Sequence, residues 1–383
     1  MTVRVYRSTD YGHPVLTGTA GDLFNVIDAL VDGYGDNSIS ALTQTGGVAT
    51  ATCVNAHGMV LGRSAIRKIS GANETGYNKE VAVTSTGTNT FTYPVAGGTP
   101  STATGAPSVR CDGSGWTRPF PRVGNIGVYR QPTAGANGRY LRIDDNAVAN
   151  IARVVGYETM ASLSSGTNAF PTETQFPGGM YFGKSSSSDA VERHWKLYCN
   201  GAIFYLVVNV SGVSDWASAQ ALAFGDYTTY TSGDAYNTLI VGGTAASGTA
   251  SAFSSISATL NTAQVGHFSA RSFSQIGTSV AMCKGSDSFK AMGASSLGVG
   301  GMPYPSSVDG GLYVAPVFLG ETASPVTNSV IRGVLPGVYN PLHVRPLTNA
   351  DVWVPTGDLA GKTFEAVNLS ASSQAFFEIS DTW

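Results

Sequence analysis

Charged residues are scarce in this sequence, and their scarcity excludes several classes of protein. Only 12% of the 383 residues are charged, and the net charge is −3. That fraction is about half the usual one. No run of five like charges occurs, and 36 consecutive residues between Asp234 and Arg271 carry no charge. Binding to a nucleic-acid backbone needs a basic surface, so we predict no nucleic-acid partner.

Long apolar runs and paired cysteines are missing as well. No stretch of 18 apolar residues is present, and the N-terminal residues lack the apolar core of a secretory signal. We therefore predict neither membrane insertion nor secretion. The four cysteines, Cys53, Cys111, Cys199 and Cys283, show no CxxC spacing. We interpret them as reduced, small hydrophobic residues of a chain that folds in a cytosol, with a Cys53–Cys111 disulfide as the alternative.

Glycine and dispersed aromatic residues are abundant. The chain contains 47 glycines, 10% aromatic and 42% hydrophobic residues, which is too apolar for a disordered protein. This composition is typical of many short strands joined by turns. We predict a mainly β fold of antiparallel β-sandwich or barrel-like domains, with one N-terminal amphipathic helix and an inserted small β-module.

The N-terminal helix is predicted by one apolar stripe after Asp22. Thr19 and Asp22 resemble a capping box, and Gly33 is a suitable residue to end the helix. The stripe consists of Leu23, Phe24, Ile27, Leu30 and Val31. We expect this face to pack on a sheet.

Strand patterns dominate the chain beyond the helix. Residues 123–130, 139–144 and 150–157 are strand-like, and Asn137-Gly138 favours a tight hairpin turn before the second run. Asn200-Gly201 separates the strand formers of residues 193–199 from those of residues 202–210, which predicts a second hairpin. The latter run has two apolar faces: Ile203, Tyr205 and Val207 on one, Phe204, Leu206 and Val208 on the other. We expect both to be buried, as in the centre of a sandwich.

Residues 38–111 resemble a small β-module that recurs in bacteriophage structural proteins. The segment reads ATATCVNAHGMVLG, then ISGANETGYN, then TFTYPV, and the module has HG, ISGA, YN and TFTYxV in this order. Lys79 stands where the module usually has glycine. If the module were removed, the flanking sequences GYGDN and GSGWTRPF would join as one short loop. We therefore interpret the module as an insertion into the host domain.

We accordingly predict three domains. A host β-domain with the N-terminal helix comprises residues 1–37 plus 112–212, the inserted β-module comprises residues 38–111, and a C-terminal β-domain comprises residues 213–383.

A second resemblance covers most of the chain. The segments YRSTDYGHPVLTGTAGDLFNVIDALVDGYG, GWTRPF, ARVVGYETM and RGVLPGVYNPLH follow one another, and together they are similar to a family of bacteriophage virion structural proteins. The resemblance implies a virion component, made in the host cytoplasm, that contacts copies of itself and other virion proteins. A tail, neck or collar position is favoured because inserted β-modules often extend outward from an anchored core. The resemblance supplies neither catalytic residues nor a cofactor.

Two other functions remain open at this point: a receptor-binding adhesin of the tail that mediates host attachment, and a capsid decoration protein. A depolymerase is a more distant alternative. The candidate contacts for a host-surface glycan or a protein partner are Tyr77, Phe91, Tyr93, Trp195 and Tyr198. An adhesin needs such rings exposed together; otherwise they fill the core.

Catalytic patterns are weak, so we predict a non-enzymatic protein without cofactor or metal. No GxSxG, HExxH or Walker-type motif occurs. Asp144 and Asp145 are adjacent, and neighbours in a strand point to opposite faces, so we expect a solvated strand end.

A denser polar and aromatic cluster precedes the second hairpin. It contains Asp189, Glu192, His194 and Trp195. Two carboxylates beside an aromatic platform are what a glycosidase uses, but core or interface packing is the favoured interpretation. Cys53 and His57, four residues apart, lack the third partner that a metal site or a thiol nucleophile needs.

Overall fold

The computed structural model describes residues 2–148, 150–212, 216, 219–244, 265–285, 303–321, 330–343, 345–369, 373–380 and 383. These residues form a mainly β protein with a large antiparallel sheet, a closed six-stranded antiparallel barrel and a short helical segment near the N-terminus. The predicted fold class is confirmed.

The N-terminal part contains one strand, two short helices and the barrel. The strand is β1 (Arg4–Arg7), and the helices are α1 (Asp22–Ile27) and α2 (Ala29–Asp32). The barrel strands are β2 (Tyr34–Thr45), β3 (Val48–Cys53), β4 (Ser64–Ala72), β5 (Lys79–Ser85), β6 (Thr90–Pro94) and β7 (Gly105–Cys111). Around the barrel they follow the order β2-β3-β6-β5-β4-β7.

The remaining strands build the large sheet with β1. The first group is β8 (Ile126–Arg130), β9 (Tyr140–Val148), β10 (Ile151–Ser162), β11 (Ser165–Phe170), β12 (Met180–Gly183), β13 (Trp195–Cys199), β14 (Ile203–Asn209), β15 (Ala219–Asp226), β16 (Thr228–Thr229) and β17 (Thr238–Thr244). The second group is β18 (Val265–Ser269), β19 (Val280–Gly285), β20 (Val314–Glu321), β21 (Val330–Pro341), β22 (Val352–Trp353), β23 (Phe364–Asn368) and β24 (Gln374–Glu378).

This sheet bends into three layers around two cores. The central layer is β1-β13-β14-β15-β17. On one face, residues of the helices and of β8, β9, β10 and β12 form a core with the alternate residues Phe204, Leu206 and Val208 of β14. On the other face, residues of β20, β21, β23 and β24 pack against Ile203 and Tyr205.

The second predicted hairpin is therefore confirmed as the centre of the body. Strands β13 and β14 pair from Trp195↔Val208 to Cys199↔Phe204, and every residue of both strands is buried. The Asn200-Gly201 dipeptide lies in the connection, with Gly201 at a φ of 90°.

Other strand predictions need correction. Asn137-Gly138 does not form a tight two-residue turn, because β8 and β9 are joined by the longer connection of residues 131–139. Of the two residues, Gly138 has a positive φ and Asn137 does not. Strands β11 and β12 were not predicted, because neither carries a clear alternating pattern.

The barrel occupies residues 34–111. Its first and last strands, β2 and β7, pair with each other, beginning at Tyr34↔Cys111. Its core consists of inward-facing residues, such as Ala49 and Ala51 of β3, that alternate with more exposed ones. The predicted boundary at residue 213 lies in the chain between β14 and β15, and these two strands pair with each other in the large sheet.

Candidate functional site

The three aromatic candidates of the inserted segment fill the core of the barrel. Tyr77 and Phe91 are fully buried and Tyr93 is nearly so. The Tyr77 hydroxyl donates to the main-chain oxygen of Pro100 (2.6 Å), and the Tyr93 hydroxyl donates to that of Tyr77 (3.2 Å). The hydroxyls of Tyr77 and Tyr93 are thus bound inside the protein, and none of the three rings provides an exposed platform for a glycan.

The two aromatic candidates of β13 are also buried. Trp195 donates its Nε1 proton to the main-chain oxygen of Pro14 (3.1 Å) in one core. Tyr198 points to the opposite face, where its ring stacks on Phe377 with centroids 4.3 Å apart. The exposed rings that an adhesin would need are not found at any of the five positions. Strand alternation directs four of them into a core, whereas Tyr77 is buried from a short 3-10 helix.

The polar cluster before β13 is divided into separate interactions. Both oxygens of Asp189 accept from Arg193 (2.7 and 2.9 Å). Glu192 instead contacts His13 (2.8 Å). His194, whose pKa is lowered by burial, binds the Ser8 hydroxyl through Nδ1 (2.9 Å). The two carboxylates thus contact different side chains, Arg193 and His13, rather than one shared substrate position.

The most elaborate polar arrangement connects the barrel to the body. We call it the junction and define it by Arg7 and Asp10 from the segment at β1, Arg67 of β4, Lys196 of β13 and Glu365 of β23. All five side chains are buried. Charged side chains are normally exposed unless they are paired. Each charge of the junction is therefore expected to have a partner of opposite sign.

Asp10 binds the barrel to the body. Its carboxylate lies 3.1 Å from the Arg67 guanidinium, and it accepts from the Tyr34 hydroxyl (2.9 Å) and from the main-chain N–H of Arg7 (3.2 Å). Arg67 belongs to the barrel, whereas Arg7 and Asp10 belong to the body. Separating the barrel from the body would leave these buried charges unpaired, and an unpaired buried charge is costly.

Glu365 connects three strands of the body at the same place. It accepts from Arg7 (2.7 Å) and from Lys196 (2.8 Å). Burial alone would raise the pKa of Glu365, but the charges of Arg7 and Lys196 outweigh burial and lower that pKa to about 2. The carboxylate therefore stays ionised and holds two cations.

The main chains also approach closely at the junction. Gly58, in the barrel loop after β3, has a φ of 74°, and a Cβ there would lie 1.9 Å from the Thr9 oxygen. The neighbouring His57 oxygen accepts from the main-chain N–H of Tyr11 (3.1 Å). Only glycine fits such an approach.

Sequence reasoning missed a buried ion pair at the helix. Asp145 and Lys184 are both fully buried and lie 2.5 Å apart. Asp145 also accepts from the main-chain N–H groups of Gly21 (2.8 Å) and Leu23 (3.2 Å), so it caps α1 from a distant strand. Burial raises the pKa of Asp145 to about 6.

Two predictions are therefore wrong. Thr19 makes no capping bond, because Gly21 is the N-cap residue, and the Asp144-Asp145 pair is not a solvated end. The alternation of Leu141, Ile143 and Asp145 on one face was the signal for a buried carboxylate.

The cysteines and histidines form no metal centre in the part of the chain that the structure describes. All four cysteines are unbonded, and Cys53, Cys111 and Cys199 are buried, in agreement with the interpretation as small hydrophobic residues. Burial raises the pKa of Cys53 to about 11 and that of Cys111 to about 12. Such thiols are inert at neutral pH.

Within the described ranges, no helix has the length and apolar character to cross a membrane. Neither the family models nor the curated proteins that were compared with this chain gave a match.

Proposed function

We propose that this protein is a non-enzymatic structural component of a bacteriophage virion. It assembles through protein–protein contacts with copies of itself and with other virion proteins. A tail, neck or collar position fits best, with the barrel held outward from the body. Support comes from the resemblance described above and from one surface of the large sheet.

That surface carries large apolar side chains exposed to solvent, and it is the observation on which the proposed assembly rests. We call it the apolar patch and define it by Tyr230, Phe273, Ile276, Val330 and Ile331. All five side chains are exposed, Ile276 to 76%. Exposed apolar groups gathered in one region are characteristic of protein–protein interfaces.

The three segments of the apolar patch adjoin one another through main-chain contacts. The Tyr230 N–H donates to the Arg332 oxygen (2.8 Å), which sets the first segment beside β21. The Arg332 guanidinium donates to the Arg271 oxygen, and Gln275 donates to the Gly233 oxygen (3.4 Å), which adds the loop after β18. The exposed residues therefore belong to one region of the surface.

A buried ion network supports the patch from below. The fully buried Arg332 binds both oxygens of Asp234 (2.8 and 3.0 Å) and one oxygen of Glu321 (2.6 Å). Because one guanidinium holds all three segments, the patch has a fixed shape before it meets a partner. Preorganisation of this kind lowers the entropic cost of association.

The first test locates the protein on purified phage particles by antibody labelling and counts its copies on a stained gel. About a dozen copies at the neck or tail, as expected of a ring, agree with the proposal. Hundreds of copies over the head identify a capsid decoration protein instead. Absence from the particle refutes the virion assignment.

A second test addresses the apolar patch directly. Ile276→Glu places a charge in the patch, and Val54→Glu is the matched control on an exposed barrel residue. We expect only the first variant to lose self-association in sedimentation velocity. Equal behaviour of the two variants would show that assembly uses another surface.

A further inference from the structure

An open cleft of about 810 Å³ lies between the barrel and the C-terminal strands. Gly62 and Arg63 line it from the barrel, and Val354, Lys362 and Glu378 line it from the body. Its volume is within the range of roughly 300–1,000 Å³ that small-ligand sites occupy. The cleft is separate from the apolar patch and from the buried contacts of the junction.

Arg63 distinguishes this cleft from the rest of the surface. Among the arginines that the structure describes, its guanidinium is the one with no hydrogen-bond, ion-pair or aromatic partner within the chain. In a protein with only 12% charged residues, an unpaired arginine that lines a cleft is conspicuous. Its planar fork of donors matches a carboxylate.

Among the described residues of the opposite wall, none provides a free carboxylate to neutralise Arg63. Glu378 already accepts from Lys362 (2.7 Å) and from the Ser380 hydroxyl (2.8 Å). With Arg63 and Lys362 as cations and Glu378 as the anion, the charged groups among the described lining residues sum to one positive charge.

The junction behind the cleft adds to the positive potential. There the three cations Arg7, Arg67 and Lys196 face the two carboxylates Asp10 and Glu365. Lys196 has a pKa lowered mainly by burial, and the charge of Arg63 lowers that pKa further, so the two cations interact. An anion in the cleft is therefore favoured electrostatically.

We propose that the cleft binds a carboxylate-bearing saccharide, with Arg63 as the ligand of the carboxylate. The Ser380 and Thr363 hydroxyls, together with Lys362 and Glu378, combine donors and acceptors, which is what sugar hydroxyls need. Val352 and Val354 provide an apolar wall for the face of a sugar ring. This inference goes beyond the proposed virion role and does not depend on it.

The lining favours a saccharide over the acidic side chain of a protein partner. A single aspartate or glutamate would use Arg63 alone and leave the hydroxyl-bearing wall unfilled. A uronic-acid oligomer contacts both walls, because each ring carries a carboxylate, several hydroxyls and an apolar face. Binding of an acidic peptide in place of the saccharide is thus an outcome that the experiment must distinguish.

The experiment titrates the full chain by calorimetry with three probes. They are a tetramer of galacturonic acid, a neutral galactose tetramer and a hexapeptide of alternating glutamate and glycine. We expect binding of the first probe only, weakened about tenfold or more by Arg63→Gln. Arg153→Gln is the matched control, because Arg153 pairs with Glu173 outside the cleft and should leave the affinity unchanged.

A second variant tests the opposite wall of the cleft and leaves Arg63 unchanged. Val354 is exposed, so Val354→Glu is expected to keep the fold and to weaken binding by charge repulsion. Thermal unfolding of each variant checks that the fold is intact. The proposal is overturned if the galacturonate tetramer does not bind, if the neutral tetramer binds equally well, if the peptide alone binds, or if neither substitution weakens binding. None of these outcomes bears on the virion assignment, which particle labelling decides.

Discussion

Removing the charge of Glu365 should destabilise the protein severely, although Glu365→Gln replaces only one carboxylate oxygen by an amide nitrogen. Glu365→Gln keeps the shape of the side chain but leaves Arg7 and Lys196 without their counter-ion. A carboxyl whose pKa falls from 4.5 to about 2 on folding contributes about 3 kcal/mol of stability at neutral pH. Breaking a buried ion pair on one side costs about 3–5 kcal/mol, so the two arguments agree.

The sign of the pH dependence follows from the lowered pKa. The contribution of Glu365 is complete above pH 4.5, the value of the unfolded chain, and it is lost as pH falls toward 2. We expect urea unfolding, followed by tryptophan fluorescence, to show the full loss for Glu365→Gln at pH 7. The difference between variant and wild type should shrink steadily below pH 4.5.

The matched control is Glu173→Gln. Glu173 also pairs with an arginine, at 2.5 Å, but 60% of its side chain is exposed. Surface pairs contribute below about 1 kcal/mol, so this variant should unfold nearly as the wild type does. Equal losses for the two variants, or a loss for Glu365→Gln that does not change with pH, would refute the electrostatic account of the junction.

Three further predictions concern glycine geometry, cysteine reactivity and barrel packing. Gly58→Ala should lower the free energy of unfolding several times more than Gly98→Ala, as urea unfolding can measure. Both glycines have a positive φ, but of the two only Gly58 has a main-chain oxygen within 1.9 Å of an added Cβ. A similar loss for both variants would contradict the close approach. A thiol reagent at pH 8 should label the partly exposed Cys283 well before the buried Cys111, as mass spectrometry can show; prior labelling of Cys111 would contradict the burial. Phe91→Ala should destabilise the barrel by about 3–5 kcal/mol, measured by hydrogen exchange of its amides, and unchanged protection would mean that this ring is not part of the core.

Long runs of one residue character carried the successful predictions. The β13–β14 hairpin followed from two runs of strand formers on either side of Asn200-Gly201, and the helical stripe that includes Leu23, Phe24 and Ile27 is buried as expected. Short runs of small or polar residues gave no such signal. Strand β11 (Ser165–Phe170) was missed because its pattern becomes visible only when it pairs with β10.

The buried ion pairs of Glu365 and Asp145 could not be predicted from the sequence, for a different reason. Arg7 and Glu365 are 358 positions apart, and Asp145 caps a helix more than a hundred residues away. No local rule connects such residues, since their proximity exists only after the sheet has folded. Strand alternation predicts at best that a carboxylate faces inward, and the identity of its partner remains a property of the tertiary structure.

The central hairpin has a consequence for how its strands find their alignment. In most sheets a shift of one residue would bring apolar side chains into water, and this penalty selects the correct alignment. Here both faces of β14 are apolar and buried, so the penalty is much smaller. The Asn200 carboxamide oxygen accepts from the main-chain N–H groups of Ala202 (2.9 Å) and Ile203 (3.0 Å), while Gly201 adopts a φ of 90°. The alignment of β13 and β14, which are buried along their whole length, therefore depends on two residues at the tip of the hairpin.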